Sequence, residues 1–401
     1  MANVAAQALF GTAGEWDLPR GITPKRELLY LAVGIPDSAS LPKAELAAAA
    51  ARVLAKPGDV ALRYGFGAGP TGIREWLAAR RNSIEGCTID ADWFQLTNGS
   101  SGAIDLIVRS LIEPGDVIVA EQPTYMGSLH NFRGVRADVR FVPMDRDGMD
   151  MDALSGLLSE LAAAGKRVKL IYTISAYHNP TGVTLSLARR QRLLELASEH
   201  DALVLDDEAY RDLWYDAPPP RAISALSDGY GVVTTGTLSK SVATGLRVGW
   251  IHARPELLAL FSRMRFAMGA NQFGLRTVGE FLEAGCFEPH LARMRDTYRH
   301  KRDLLHGELQ RQVSDYFEWD LPAGGFYFWA KLKQGMQVQP LWRTAVEEGI
   351  AINPGSGFMP AGATAEPRIR IAFAWTPEHQ FAAAAERLRL ACERVLAGDA
   401  A

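Results

Sequence analysis

From about residue 95 to residue 255, the sequence alternates short apolar runs with amphipathic stretches of helical periodicity. This alternation constrains the fold more than any other feature, because apolar runs separated by helices are typical of a mainly parallel sheet with helices on its faces. We predict seven strands: Phe94–Thr97, Val117–Ala120, Val139–Val142, Val168–Ile174, Ala202–Leu205, Val232–Thr235 and Val248–His252. Helices are predicted near Gly102–Ile112, Met151–Ala164 and Leu187–His200.

The last third of the chain has a different pattern and predicts a second, smaller α+β domain. It begins with a long helix, Phe287–Val313, which is followed by a strand-rich segment, Trp319–Leu332. The remaining predicted elements are a helix at Pro340–Glu348, strands at Ile350–Asn353 and Arg368–Ala374, and a final helix at Pro377–Ala397. No low-complexity linker separates the two parts, so we expect them to share an extensive interface.

Charge and composition argue against several classes of function. The formal net charge is −3, which favours neither a nucleic-acid partner nor an anionic membrane surface. Cys87, Cys286 and Cys392 share no CxxC spacing, so we expect no disulfide framework and no zinc site. The histidines are scattered, and no stretch has the length needed to cross a bilayer. We therefore expect a cytoplasmic protein with no metal and no membrane association.

The stretch Val232–Trp250 contains the most informative residue of the chain, Lys240. A lysine on a Gly/Ser/Thr-rich loop after a buried strand can be desolvated and held near hydroxyl groups, which suits it for covalent chemistry on a carbonyl. Arg247 returns to the same loop, where a guanidinium suits a phosphate. Taken alone, Lys240 could equally be a surface lysine in a polar loop.

Four further polar motifs follow predicted strands, and ligands bind at the carboxyl ends of such strands. They are Thr97–Ala103, which opens a helix and could bind an anion, Glu121–Tyr125, His178–Gly182 and Asp206–Tyr210. Each also has an ordinary structural explanation. Thr97–Ala103 could be an ordinary strand-to-helix turn. The tyrosine of Glu121–Tyr125 could simply pack at the base of a loop, and His178–Gly182 could be a simple Asn-Pro turn. For Asp206 we favour a solvated acid at a strand end.

Together and in this order, the motifs resemble those of pyridoxal-phosphate-dependent enzymes of fold type I, the class I/II aminotransferases. Within that family the sequence is most similar to the kynurenine and 2-aminoadipate aminotransferase group, over about residues 30–400. The resemblance implies the aspartate-aminotransferase fold. It assigns residues 61–289 to a large cofactor-binding domain, residues 31–60 and 290–401 to a small domain, and residues 1–30 to an N-terminal arm.

The resemblance also implies that pyridoxal 5'-phosphate is the cofactor and assigns the residues that hold it. Lys240 matches the lysine of the Schiff base, and Asp207 matches the acid that keeps the pyridine nitrogen protonated. Asn179 and Tyr210 match the partners of the phenolic oxygen, and Tyr125 matches the aromatic residue that stacks on the ring. The phosphate is assigned to Ser100, Ser101, Thr237, Ser239, Arg247 and, from the neighbouring subunit, Tyr64.

Substrate binding is assigned in the same way. Arg370 matches the arginine that binds the α-carboxylate, with Arg368 two residues away as its rival. Gly34 matches a glycine near that carboxylate, and Asn179 also faces the substrate. The implied partners are an amino acid and a 2-oxo acid, and the implied assembly is a homodimer with shared active sites. Ser101 and Thr244 depart from the family pattern, which usually has a longer polar residue and a proline there.

The implied activity is the transfer of an amino group between an amino acid and a 2-oxo acid by a ping-pong mechanism. On the same scaffold, a lyase, a decarboxylating deaminase, or a cyclase or oxidase stays open as the alternative. A transcriptional regulator is disfavoured because no basic recognition helix is visible. The aromatic run Phe326–Trp329 and the segment Leu62–Pro70 suggest a large or apolar substrate.

Overall fold

The computed structural model describes residues 22–265, 269–360, 363 and 366–399 of the 401-residue chain. Most of the predicted N-terminal arm, residues 1–30, lies outside the described residues. The described strands and helices follow one another in chain order. They are β1 (Leu29–Tyr30), α1 (Lys43–Ala55), α2 (Thr71–Glu85), β2 (Phe94–Asn98), α3 (Gly99–Leu111), β3 (Val117–Gln122), α4 (Met126–Gly134), β4 (Asp138–Asp145), β5 (Gly148–Met149), α5 (Met151–Ala163), β6 (Val168–Thr173), α6 (Leu187–Glu199), β7 (Leu203–Asp207), α7 (Ile223–Leu226), β8 (Val232–Thr237), β9 (Val248–His252), α8 (Pro255–Met264), α9 (Gln272–Glu283), α10 (Phe287–Val313), β10 (Phe317–Glu318), β11 (Tyr327–Leu332), α11 (Val338–Glu347), β12 (Ile350–Ala351), β13 (Asn353–Pro354), β14 (Arg368–Ala372) and α12 (Phe381–Leu396).

The large sheet has the strand order β2-β9-β8-β7-β6-β3-β4-β5. Six strands run parallel to one another, whereas β9 is antiparallel to both of its neighbours and β5 is antiparallel to β4. The mostly parallel sheet is thus confirmed, and all seven predicted strands belong to it. The predicted number of strands was wrong, because β5 adds an eighth. With only two residues, β5 is too short to produce a periodic pattern.

Both faces of the large sheet are covered, which explains why its strands are continuous apolar runs rather than alternating ones. Along β3, Ile118 and Ala120 pack into a buried cluster with side chains of α3 and α4. Val117 and Val119 point to the opposite face and pack with side chains of α5 and α6. The sheet is therefore a central layer with helices packed on both of its faces.

A smaller antiparallel sheet has the order β10-β11-β14-β13, and β1 pairs in parallel with β12. In the predicted strand-rich segment Trp319–Leu332, regular strand structure begins only at Tyr327. The register places Arg370 of β14 between Trp329 of β11 and Asn353 of β13. This pairing directs Arg370 towards the large sheet.

Two glycines allow β9 to lie directly against the start of α3. A Cβ on Gly249 would lie 2.4 Å from the carbonyl carbon of Gly99, so no larger residue fits there. Gly99 itself has a φ of +75°, and a Cβ at this position would lie 2.7 Å from Nη2 of Arg247. Glycine at these two positions therefore brings Arg247 and the N-terminus of α3 together.

Candidate active site

A cavity of about 460 Å³ lies at the carboxyl ends of the parallel strands, between the large sheet and the smaller one. Twelve of the thirteen residues that the sequence assigns to the site line this cavity. They are Gly34, Ser100, Ser101, Tyr125, Asn179, Asp207, Tyr210, Thr237, Ser239, Lys240, Arg247 and Arg370. The exception is Tyr64, whose side chain is 74% exposed and lies away from the cavity of its own chain.

Lys240 lies in the turn after β8, and its amine points into the cavity. The Nζ atom donates a hydrogen bond to the Gly34 carbonyl at 2.8 Å and lies 5.8 Å from the centroid of the Tyr210 ring. Burial, helped by the positive charges of Arg370 and Arg247, lowers the pKa of Lys240 to about 8, although Asp207 opposes the shift. Close to neutral pH the amine is therefore poised to lose its proton.

Asp207 is the last residue of β7, and its carboxylate is buried. It accepts hydrogen bonds from the hydroxyls of Tyr172 (3.2 Å) and Thr235 (3.3 Å) and from the backbone N–H of Ala209 (3.3 Å). Burial nevertheless dominates and raises the pKa of Asp207 to about 6. A cation next to this carboxylate would favour its charged form.

The start of α3 and the two ends of the Lys240 loop form a cradle for an anion. Ser100 and Ser101 lie in the first turn of α3, where backbone N–H groups are free to bind an anion. The Thr237 hydroxyl donates to the Val248 carbonyl at 2.9 Å and accepts from the Ser239 N–H at 3.1 Å. Arg247 has a left-handed φ of +52° and donates to the Asn98 carbonyl at 3.2 Å, beside the same helix start.

Arg370 reaches the cavity from β14 and is only 3% exposed. Its guanidinium donates to Oδ1 of Asn179 (2.8 Å), to Oδ1 of Asn353 (2.8 Å) and to the Ala32 carbonyl (2.7 Å). In the part of the chain that the structure describes, no carboxylate pairs with Arg370, and its buried Nε has no hydrogen-bond partner. A buried guanidinium without a counter-ion suits a carboxylate ligand.

Arg368 differs from Arg370 in its surroundings although both belong to β14. Its guanidinium pairs with Glu366 at 2.7 Å, its side chain is 28% exposed, and it does not line the cavity. The two arginines are two residues apart and so share a face of β14, but only Arg370 lies far enough along the strand to line the cavity.

The expectation of a solvated acid at position 206 was wrong. Asp206 is fully buried, because consecutive residues of a strand point to opposite faces of a sheet that is covered on both. Its Oδ1 accepts a hydrogen bond from the Ser175 N–H at 3.4 Å. Burial, reinforced by the charge of Glu208, raises the pKa of Asp206 to about 7. It lies behind the cavity and does not line it.

Sequence reasoning missed the residues that support Asp207 from neighbouring strands. Tyr172 of β6 donates to Asp207 and accepts a hydrogen bond from the Ser128 hydroxyl at 2.8 Å, and Thr235 of β8 donates from the other side. A polar residue near the end of an apolar run was the available signal. It becomes informative only when the strand order is known.

Across the described ranges, no helix is long and apolar enough to cross a membrane. Among these same residues, no group of three or more histidine, cysteine, aspartate or glutamate side chains is arranged to hold a metal ion.

The donors and acceptors of the cavity fit pyridoxal 5'-phosphate. A dianionic phosphate suits the cradle at α3, and an aldehyde suits the amine of Lys240. The raised pKa of Asp207 marks a carboxylate whose burial disfavours its charge, and a protonated ring nitrogen beside it would stabilise that charge. Because a Cβ on Gly99 would meet the Arg247 guanidinium, glycine at this position keeps the cradle open to close approach of a ligand. The fold and the site together define an enzyme of the pyridoxal-phosphate class.

Comparison with known proteins identifies the family. Residues 26–388 match the family model for aminotransferase class I and II, so the chain belongs to that family of enzymes. It is 33% identical over 368 residues to aromatic-amino-acid aminotransferase 1 of Thermococcus litoralis, covering 90% of this chain and 87% of the relative. It is 32% identical over 387 residues to 2-aminoadipate transaminase of Thermus thermophilus, covering 94% and 93%.

The solved structures give the same answer for the fold. The kynurenine aminotransferase of Pyrococcus horikoshii superposes with a TM-score of 0.86 at 31% identity, and the match covers 92% of each chain. The predicted family and fold class are therefore confirmed.

The buried charge of Asp207 leads to a prediction about the cofactor-free protein. The pKa of Asp207 rises from 3.8 to about 6 on folding, so this group favours the folded state below pH 4 and progressively opposes it as the pH rises towards 6. We expect Asp207→Asn to stabilise the cofactor-free protein at pH 7.5, by up to about 2–3 kcal/mol from a shift of this size. The difference should vanish near pH 4. Urea unfolding at both pH values measures it.

The exposed Asp320 supplies the control, since Asp320→Asn removes the same formal charge at the surface. Its unfolding free energy should match that of the wild type at both pH values. An Asp207→Asn variant that is less stable than the wild type at pH 7.5 would show that the hydrogen bonds to the carboxylate outweigh its desolvation.

Proposed function

We propose that this aminotransferase carries out both half-reactions in the cavity around Lys240, moving an amino group from an amino acid to a 2-oxo acid. One observation supports this assignment above all others. A buried amine with a lowered pKa, a buried acid and a buried arginine that has no counter-ion among the described residues converge on one cavity of the size that a cofactor and a substrate require.

Pyridoxal 5'-phosphate supplies an aldehyde for covalent linkage and a ring that withdraws electrons from the substrate. We assign its phosphate to Ser100, Ser101, Thr237, Ser239 and Arg247, which lie around the start of α3. We assign Asp207 to the ring nitrogen, which it would hold in its protonated form. We assign Asn179 and Tyr210 to the phenolic oxygen and Tyr125 to one face of the ring, and all four residues line the cavity.

Lys240 is assigned as the base that removes and returns the α-proton of the substrate. A pKa of about 8 leaves part of the amine neutral near physiological pH, which is the form that accepts a proton. The hydrogen bond to the Gly34 carbonyl keeps the amine inside the cavity while it is not linked to the cofactor. Arg370 anchors the α-carboxylate through its guanidinium, which orients the α-carbon towards Lys240.

The covalent role of Lys240 is tested directly by Lys240→Ala. The wild type, incubated with pyridoxal phosphate and reduced with borohydride, should carry the cofactor on a peptide that contains Lys240, because reduction makes the linkage permanent. The variant should carry none and should lose at least about 10⁴-fold in amino transfer, since both nucleophile and base are gone. Peptide mass spectrometry and a coupled assay measure the two effects.

The same assay separates transfer from the lyase alternative. Amino transfer requires a 2-oxo acid in stoichiometric amount, whereas ammonia released without an acceptor would contradict our assignment. A reduced adduct on another lysine would move the site away from the cavity described above.

We further propose that the substrate is an amino acid with a large apolar or aromatic side chain. Val33, Ile35, Tyr125 and Tyr327 line the same cavity as Arg370 and give it apolar surface. Burial of an apolar side chain against such a wall favours binding by about 25 cal/mol per Å². The relatives named above include an aromatic-amino-acid and a kynurenine aminotransferase, which agrees with this choice.

The two arginines of β14 form a matched pair for testing carboxylate binding. Arg370→Met should raise the KM for phenylalanine by at least about 100-fold, because a buried, charge-assisted bidentate contact is lost. Arg368→Met should change the KM less than twofold, since that side chain pairs with Glu366 outside the cavity. Steady-state kinetics measure both, and retention of the visible cofactor band shows that the cavity remains intact. A larger effect at Arg368 would reverse the assignment.

We also propose that the enzyme is a homodimer in which Tyr64 reaches the cofactor phosphate of the other subunit. The segment around Tyr64 exposes several large apolar side chains at once, among them Leu62 at 70% and Phe66 at 75%. A cluster of this kind on the surface of one chain favours burial against a partner.

Hybrid dimers test this shared site. Tyr64→Phe and Lys240→Ala should each depress activity as homodimers. After the two are mixed under conditions that exchange subunits, activity should return to about a quarter of the wild-type value. Half of the chains then form hybrids, and each hybrid has one site with both native residues. A mixture no more active than the average of its two components would contradict a shared site.

We propose a cytoplasmic location, which the free thiols of Cys87, Cys286 and Cys392 support. For the domains we propose residues 61–289 as the large unit, and residues 31–60 with 290–401 as the small one. The backbone N–H of Ala372 donates to the Leu31 carbonyl at 2.7 Å, which supports the assignment of the start of the segment 31–60 to the C-terminal third.

A further inference from the structure

Tyr327, the first residue of β11, is buried between three parts of the site. Its hydroxyl lies 2.8 Å from the Tyr210 hydroxyl, and the two rings meet edge to face with centroids 5.7 Å apart. Its ring faces the Arg370 guanidinium, which lies 4.3 Å from the ring centroid. A Cβ on Gly34 would lie only 1.8 Å from the Tyr327 hydroxyl oxygen, so this hydroxyl also packs against the segment that accepts the Lys240 hydrogen bond.

The direction of the bond between the two tyrosines follows from the function proposed above. A hydroxyl has one proton to donate. If Tyr210 donates its proton to the phenolic oxygen of the cofactor, it must accept from Tyr327. Hydrogen bonds in such a chain strengthen one another, so a donation from Tyr327 makes Tyr210 a stronger donor.

We propose that Tyr327 is a positioning residue that acts on the cofactor through Tyr210 and on the substrate through Arg370. Its hydroxyl fixes the Tyr210 proton towards the cofactor. Its ring holds the Arg370 guanidinium by a cation–π contact in the orientation that receives the α-carboxylate. The two functions reside in different parts of one side chain, so different substitutions should separate them.

This inference rests on the proposed function, and Tyr327→Phe tests its first half. Removing the hydroxyl weakens Tyr210 as a donor and leaves the phenolic oxygen less stabilised. The lysine-linked cofactor should then hold its proton more tightly. We expect the pH midpoint of the visible absorption band, measured without substrate, to rise by about 0.5 unit, a roughly threefold change in proton affinity. The variant changes none of the charged groups in the cavity, which are Asp207, Lys240, Arg247 and Arg370.

Kinetics with phenylalanine test the second half. Tyr327→Phe keeps the ring, so kcat should fall roughly threefold to tenfold while KM changes less than about twofold. Tyr327→Leu removes the ring as well, and KM should rise at least about fivefold, because Arg370 loses its cation–π support. The split between kcat and KM would not arise from a general loss of packing.

Tyr298→Phe is the matched control. Tyr298 is an equally buried tyrosine whose ring packs on Phe326, and its hydroxyl accepts a hydrogen bond from the Asp37 N–H at 3.0 Å, outside the cavity. The Tyr298→Phe variant should leave the pH midpoint, kcat and KM unchanged. An unchanged midpoint in Tyr327→Phe, or equal KM values in the Phe and Leu variants, would overturn the inference. A wild type that shows no visible band with pyridoxal phosphate would instead refute the proposed function itself.

Discussion

The site depends on the desolvation of charged groups at the end of a fully covered sheet. Asp207 and Lys240 occupy one cavity, and burial shifts both pKa values towards the neutral forms, to about 6 and about 8. Three hydrogen bonds to Asp207 offset only part of this cost. In the assignment proposed above, a cationic ring nitrogen would relieve the remaining cost, because it would pair with the buried carboxylate of Asp207.

Three glycines set the space at this end of the sheet, because each admits a close neighbour that a Cβ would displace. Gly249 brings β9 against the start of α3, and Gly99 makes room for Arg247 beside the same helix start. Gly34 likewise admits the Tyr327 hydroxyl and presents its carbonyl to Lys240. A residue with a Cβ at any of these positions would push apart the phosphate cradle or the lysine contact. The geometry of the cavity therefore depends on close contacts at these three glycines, one with backbone and two with the side chains of Arg247 and Tyr327.

Much of this arrangement could be predicted because chain order and chemistry coincide in a parallel sheet. Polar motifs after successive strands must meet at one edge, so Asn179, Asp207 and Lys240 could be placed together before the structure was known. The burial of Asp206 could not be predicted, because its exposure depends on which helices cover each face of the sheet. The two-residue strand β5 and the Tyr172 support of Asp207 were missed for a similar reason. A two-residue strand is too short to show a periodic pattern, and the sequence pattern does not reveal which strands are neighbours in the sheet.

Tyr327 shows why contacts between the two sheets are the hardest to foresee and the most informative. It comes from β11 of the smaller sheet, yet its hydroxyl meets Tyr210, which follows β7 of the large one. Arg370 of β14 likewise reaches across to Asn179. Arg370, which we assign to the substrate carboxylate, is thus connected to the two residues assigned to the phenolic oxygen. It donates a hydrogen bond to Asn179, and it contacts the Tyr327 ring, whose hydroxyl is hydrogen-bonded to Tyr210. A change in the position of the smaller sheet would alter both contacts at once, so under the roles proposed above the packing of the fold would couple substrate binding to the cofactor.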